Sequence, residues 1–155
     1  IIKAQLNSQM LKFDDVDMVI PLLPINVSVL HHNVVPWLIG QAKVVYEFFD
    51  NPTIGYGKFG AEGRIVSDLC KKNDTIEMKK MSRIYTISPR TKELFQRYNH
   101  ITTQVLVLPL QNSDAYYCKE YGDFVMYHSR IYPQKRQHLV SPRIRSPWLA
   151  AQWYD

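Results

Sequence analysis

The chain has 155 residues, of which 46% are hydrophobic, 12% aromatic and 21% charged. That length suits about one domain and that composition a packed core, which excludes a disordered, collagen-like or wholly coiled-coil chain. The net charge of +5 is uneven: residues 1–60 hold four Lys or Arg against five Asp or Glu, and residues 61–155 hold fifteen against nine, so an anion is expected on the second half.

In chain order, Asp17–Leu23 is rich in apolar residues and bounded by Asp14, Asp15 and Pro24. It reads as a strand, as does Asn33–Ile39, and both suit a parallel sheet that is apolar on its two faces. The apolar stretch 18–30 is interrupted by Pro21, Pro24, Asn26 and Ser28, so it does not span a bilayer. Val44–Phe49 fits a strand or a helical turn equally. Residues 50–60 are a loop by composition. From Ala61 to Lys72, Ile65, Val66, Leu69 and Cys70 recur at helical spacing, and Ile76–Lys80 continues or restarts that helix.

Arg83–Ile87 reads as a strand. Ser88-Pro89 then gives a strong helix start, with Ser as the cap and Pro in the first turn. Leu94, Phe95 and Tyr98 supply that helix with an apolar face. Gln104–Leu108 is a further buried-type strand ended by Pro109. Residues 109–123 are polar, Phe124–His128 is the next strand, and Arg130–Arg136 is a basic turn. Strands alternating with helices predict an α/β fold with a Rossmann-like parallel sheet and flanking helices. Residues 141–155 carry two Ser-Pro pairs and two further Arg, and no strand–helix unit closes there. Cys70 and Cys118 form neither a disulfide framework nor a zinc set, and fit a reducing, cytoplasmic setting. The chain opens on Ile1, which is taken as a processed or internal start, and no signal peptide pattern opens it.

Five groups carry candidate chemistry. Gly55-Tyr-Gly57-Lys-Phe-Gly60 spells a dinucleotide-type glycine motif, but Asp50–Ile54 separates it from any strand and its intervening residues are bulky, so a flexible glycine loop is expected. His31-His32 lacks further ligands at metal spacing and is expected as polar loop, with one His available as a base. Asp14, Asp15 and Asp17 are expected in a solvated turn. Tyr116, Tyr117, Tyr121, Tyr127 and Tyr132 sit among Lys119, Arg130, Lys135 and Arg136, but no nucleic-acid-binding motif accompanies them, so nucleic acid is not expected as a partner. In Ser129-Arg130-Ile-Tyr-Pro133-Gln-Lys135-Arg136, which follows a strand directly, Arg130 offers a planar fork and Lys135 a mobile point charge; the spacing fits both converging on one diphosphate and a plain exposed basic loop equally.

Four stretches together resemble the retaining glycosyltransferases of family 4, which have the two-Rossmann-domain GT-B architecture. They are FDDVDMVI (13–20), VVPWLIGQ (34–41), MSRIYTISPRTKELFQRY (81–98) and VLVLPLQNSDAYYCKEYGDFVMYHSRIYPQKR (105–136). The last is similar to the family's interdomain crossing, followed by a strand and Gly-Arg-x-x-x-x-Lys; it is the most specific. The resemblance covers residues 13–140. It implies an acceptor-side Rossmann-like domain over 1–110, incomplete, an interdomain linker over 111–123, the truncated start of a donor-binding domain over 124–140, and a tail of unclear register over 141–155.

The resemblance also implies transfer of a sugar from a nucleotide-sugar donor to an acceptor hydroxyl with retention, in carbohydrate biosynthesis. Arg130 and Lys135 would grip the donor diphosphate, with no metal and no other cofactor. The acceptor would be a glycan or a lipid-linked molecule, and the basic half admits a peripheral contact at the inner face of a membrane. Ser129 replaces the family's Gly. Gly40 stands where many relatives keep a polar residue, often His, so no catalytic residue is assigned. A complete enzyme of this class is more than twice this length, so the chain is expected to be a fragment that does not turn over alone. The alternative from another class is a non-catalytic basic module that binds anions or glycans.

Overall fold

The computed structural model describes residues 1–117 together with Glu120, Ser129 and Lys135. The chain divides into two compact units, Ile1–Pro109 and Leu110–Asp155. The first holds helix α1 (Ile2–Ser8), strand β1 (Trp37–Leu38), helix α2 (Gly60–Lys79), strand β2 (Tyr85–Thr86), helix α3 (Pro89–Asn99) and strand β3 (Gln104–Val105), with short 3-10 turns at Pro24–Asn26 and Tyr56–Phe59. In the second, the described residues include a 3-10 turn at Ser113–Ala115.

The three strands form a parallel sheet in the order β1-β2-β3, with Trp37 beside Tyr85 and Tyr85 beside Gln104. Each strand is short, but backbone bonds carry the ladder past its ends: Tyr85 N–H donates to Pro36 O (2.8 Å) and Leu106 N–H to Thr86 O (2.9 Å). This is the mixed α/β fold with a parallel sheet that the alternating pattern predicts.

The apolar run around Val19 lies beside β1 as an irregular outer segment. Val35 N–H donates to Val19 O (3.0 Å) and Trp37 N–H to Pro21 O (2.9 Å). Parallel bridges join Lys12 to Leu30 and Val19 to Val34. Between these bridges one side advances seven residues and the other four. The outer segment therefore bulges ahead of Val19, and the strand that its composition predicts is cut short at Pro21, because the next ladder N–H, that of Ile39, donates to Leu22 O. Its burial also differs from a two-faced core strand, since Pro21 is buried while Met18, Ile20 and Leu22 are exposed.

α2 and α3 cover one sheet face. Val27, Leu38, Met78, Ile84, Phe95 and Ile101 form that core, and a fully buried side chain of this size contributes about 1.5–3 kcal/mol. By register and strand alternation the opposite face carries Met18, Ile20, Leu22, Trp37 and Ile39. The Trp37 indole N–H crosses that face to donate to Leu106 O (2.8 Å).

α3 begins where Ser88-Pro89 predicts. The Ser88 hydroxyl accepts from Thr91 N–H (3.1 Å), and Pro89 occupies the first turn, where its missing N–H costs nothing. Leu94 and Phe95 are buried and Tyr98 half-buried. α2 runs unbroken through the polar stretch Asn73–Thr75. Only part of its expected apolar face points inward: Cys70 is buried, whereas Ile65 and Leu69 are exposed. The segment Lys43–Asp50, open between strand and helix on sequence grounds, winds through successive turns. Within it Val45 N–H donates to Ala42 O and Phe49 N–H to Tyr46 O. No helix among the described residues is long and apolar enough to cross a membrane.

Candidate functional site

Open parallel sheets bind ligands in the crevice beyond the carboxyl ends of their strands. Here that edge is built from Gly40 and Gln41 after β1, Ser88–Arg90 after β2, and Leu106–Pro109 after β3. The long β1–α2 connection also lies there and ends in the glycine motif. The motif does open a helix, because α2 starts at Gly60 itself, where φ is +59° and a side chain would be strained.

The loop is not the free glycine segment that its composition predicts. Tyr56 N–H donates to Val44 O (3.0 Å) and Gly57 N–H to Phe49 O (2.8 Å). A Cβ on Gly55 would fall 2.2 Å from the carbonyl oxygens of both Phe48 and Phe49. Glycine is needed there because backbone packs on backbone. Arg90, in the first turn of α3, ties the same connection down by donating to Glu47 Oε1 (2.9 Å), and it also reaches Glu93 (3.5 Å). The Glu47 hydrogen bond, foremost, holds the Arg90 pKa above its ordinary value.

Of the predicted diphosphate pair, Arg130 lies outside the described residues. Lys135 is exposed and Ser129 half-buried. Both belong to the second unit. Tyr116 and Tyr117 are exposed, while Cys118, Lys119, Tyr121, Tyr127, Tyr132 and Arg136 lie outside the described residues.

His31 repairs the bulge of the outer segment. Its Nδ1 accepts from Asn33 N–H (3.1 Å) and its Nε2 lies 3.0 Å from Val16 O. Nδ1 also lies 3.0 Å from Asn33 O. Asn33 Nδ2 donates to Asp17 O (3.0 Å). Two carbonyls stranded by the bulge thereby gain side-chain donors. His32 is exposed and its ring lies 4.2 Å from that of His31. Asp14 is exposed and pairs with Lys12 (2.9 Å), as a solvated turn requires. Among the described residues no three His, Cys, Asp or Glu side chains are placed to share a metal ion.

A buried polar network joins residues that no sequence motif connects. Asp74, on α2, is 4% exposed. Gln5 Nε2 of α1 donates to its Oδ1 (2.6 Å), and the Tyr46 hydroxyl donates to its Oδ2 (2.7 Å). Asn99, the last residue of α3, donates from Nδ2 to Tyr46 Oη (3.2 Å) and Thr75 Oγ1 (2.8 Å), and accepts from Gln41 Nε2. Burial pushes the Asp74 carboxyl up to about 6 against the bonds from Tyr46 and Gln5, which pull it down. Burial, then the nearby Asp74 charge, raises the Tyr46 phenol, and the same two causes raise the Cys70 thiol.

Beside this network lies a cavity of about 160 Å³, lined by Gln5, Pro24, Gln41, Ala42, Cys70 and Asp74 among others. A wider cleft of about 410 Å³ opens near the amino ends of the strands, beside His31, His32, Glu77 and Lys80. Glu77 is buried and its carboxylate accepts from Lys80 Nζ at 2.7 and 2.8 Å. No protein family model matches this chain, and comparison with curated proteins and with solved structures returns no significant match.

Proposed function

We propose that the chain is the acceptor-side domain, with the opening of the donor-side domain, of a retaining GT-B glycosyltransferase, in which Arg130 and Lys135 bind the diphosphate of a nucleotide sugar. What supports this is the β2–α3–β3 unit. A strand, a Ser-capped helix and a parallel strand follow one another over residues 85–105. The chain leaves that unit at Pro109, the boundary of the first compact unit, and enters the segment that carries Arg130 and Lys135. That is the element order in which this family passes from acceptor side to donor side.

The chemistry follows from charge. Departure of a nucleoside diphosphate builds negative charge on its phosphates. A guanidinium fork and an ammonium held at fixed positions stabilise that charge as it develops. Arg130 presents paired donors to two phosphate oxygens, and Lys135 contributes a compact point charge.

Isothermal titration of the full chain with UDP and with GDP, against inorganic phosphate, tests the proposal. Saturable binding of one nucleotide in preference to the other and to phosphate is expected. Equal binding of every polyanion, with a steep loss in salt, would instead establish the basic anion-binding module.

A further inference from the structure

α2 buries one face in its own fold and leaves an apolar one open. Gly63, Ser67, Cys70, Asp74, Glu77 and Met78 are buried. On the opposite side of the helix, Ile65 is 59% exposed, Leu69 49% and Ile76 45%. With Lys72 they are spaced four, three and four residues apart, which is the spacing of a helix-pairing seam. The seam continues to Glu62 at the amino end and Lys79 at the carboxyl end. None of Glu62, Asp68, Lys72 and Lys79 is in an ion pair among the described residues.

We propose that this outer face of α2 is an interface with a second copy of the chain, the two α2 helices packing antiparallel about a two-fold axis. Charge complementarity selects this occupant. An axis passing between Cys70 and Lys71 sets Ile65 against the partner's Ile76, Leu69 against the partner's Lys72 and Glu62 against the partner's Lys79. The acidic end of each helix then meets the basic end of the other, twice. Asp68 lies next to the position that faces the partner's Lys72, so the central lysine lays its stem on leucine and has a carboxylate beside its head. A parallel pairing would stack Glu62 on Glu62, Lys72 on Lys72 and Lys79 on Lys79, and like charges reject it. The contact is self-complementary and closes on itself, as a two-fold interface must. One helix per partner is a small interface, so the dimer is expected to be weak and concentration-dependent.

Sedimentation equilibrium of the full chain over a roughly hundredfold concentration range tests this. A monomer–dimer equilibrium is expected. Glu62→Lys and Lys79→Glu should each weaken it by about tenfold or more, and the two together should restore it to within about threefold of wild type. Ile65→Asp should leave monomer. Ile20→Asp, on the open sheet face, should leave the association unchanged. Circular dichroism of these surface variants checks that each stays folded. A monomer at every concentration overturns the proposal. So does a dimer indifferent to Glu62→Lys and Ile65→Asp, or one lost through Ile20→Asp.

Discussion

Asp74 offers the sharpest test of the packing. Its carboxyl is 4% exposed, and burial lifts its pKa from 3.8 to about 6. The folded protein therefore holds this proton more tightly than the unfolded chain does. Below about pH 4 the acid is protonated in both states and its contribution to stability is intact. As pH rises towards 6 the unfolded chain ionises first and gains an advantage. Stability is lost through that window and stays lost at neutral pH. At about 1.4 kcal/mol per tenfold shift in acidity, the loss is ~3 kcal/mol.

Asp74→Asn removes the ionisation and keeps the shape. One of the donors, Gln5 or Tyr46, must find a new acceptor, but that cost does not vary with pH. Urea unfolding of wild type and variant from about pH 3.5 to about pH 7 measures the difference, and the other carboxylates cancel in it. The variant should gain ~3 kcal/mol on wild type across the range. A difference flat with pH, or one that falls, would refute the burial of this carboxyl in the network.

Three further outcomes follow from the packing. Ser88→Ala should cost about 1 kcal/mol in urea unfolding, because it orphans the Thr91 amide at the start of α3. Gly55→Ala should cost more than ~2 kcal/mol, since its methyl meets two carbonyl oxygens, while Gly40→Ala, with nothing within 4 Å, should stay within about 0.5 kcal/mol of wild type. His31→Ala should lower stability by about 1–2 kcal/mol and speed hydrogen exchange at the Asn33 amide, which then loses its acceptor.

What could be read from sequence was local. Ser88-Pro89 fixes the start of α3 within one turn, and the short apolar runs mark β1, β2 and β3, but Gln104–Leu108, expected as a buried-type strand, is exposed along its length because it forms the outer edge of the three-stranded sheet. α2 was harder. Across Asn73–Thr75 the spacing leaves open whether the helix continues or restarts, and Asp74 stays helical there with its carboxylate satisfied by Gln5 and Tyr46 from other parts of the chain. Ile65 and Leu69 show the spacing of a core face, and spacing alone cannot say which of two opposite faces the sheet takes.

The candidate site divides in the same way. The glycine motif is visible as letters, but its glycines answer to the carbonyls of Phe48 and Phe49, which composition does not bring near. His31 shows no ligand set because its partners are backbone atoms created by a bulge. Gln5, Tyr46, Asp74 and Asn99 come from separate parts of the chain, so their network exists only in the fold. The diphosphate pair rests on motif resemblance and charge.

Titration of the preferred nucleoside diphosphate into Arg130→Ala and Lys135→Ala variants measures what those two cations contribute to the proposed donor site. Each substitution removes a charge-assisted contact and should weaken binding by about ten- to a hundredfold, while Arg136→Ala, a neighbouring cation of equal charge, should change it by less than about threefold. Equal weakening by all three substitutions would mean that binding follows net charge and not a diphosphate held by two particular residues, and would overturn the proposed site.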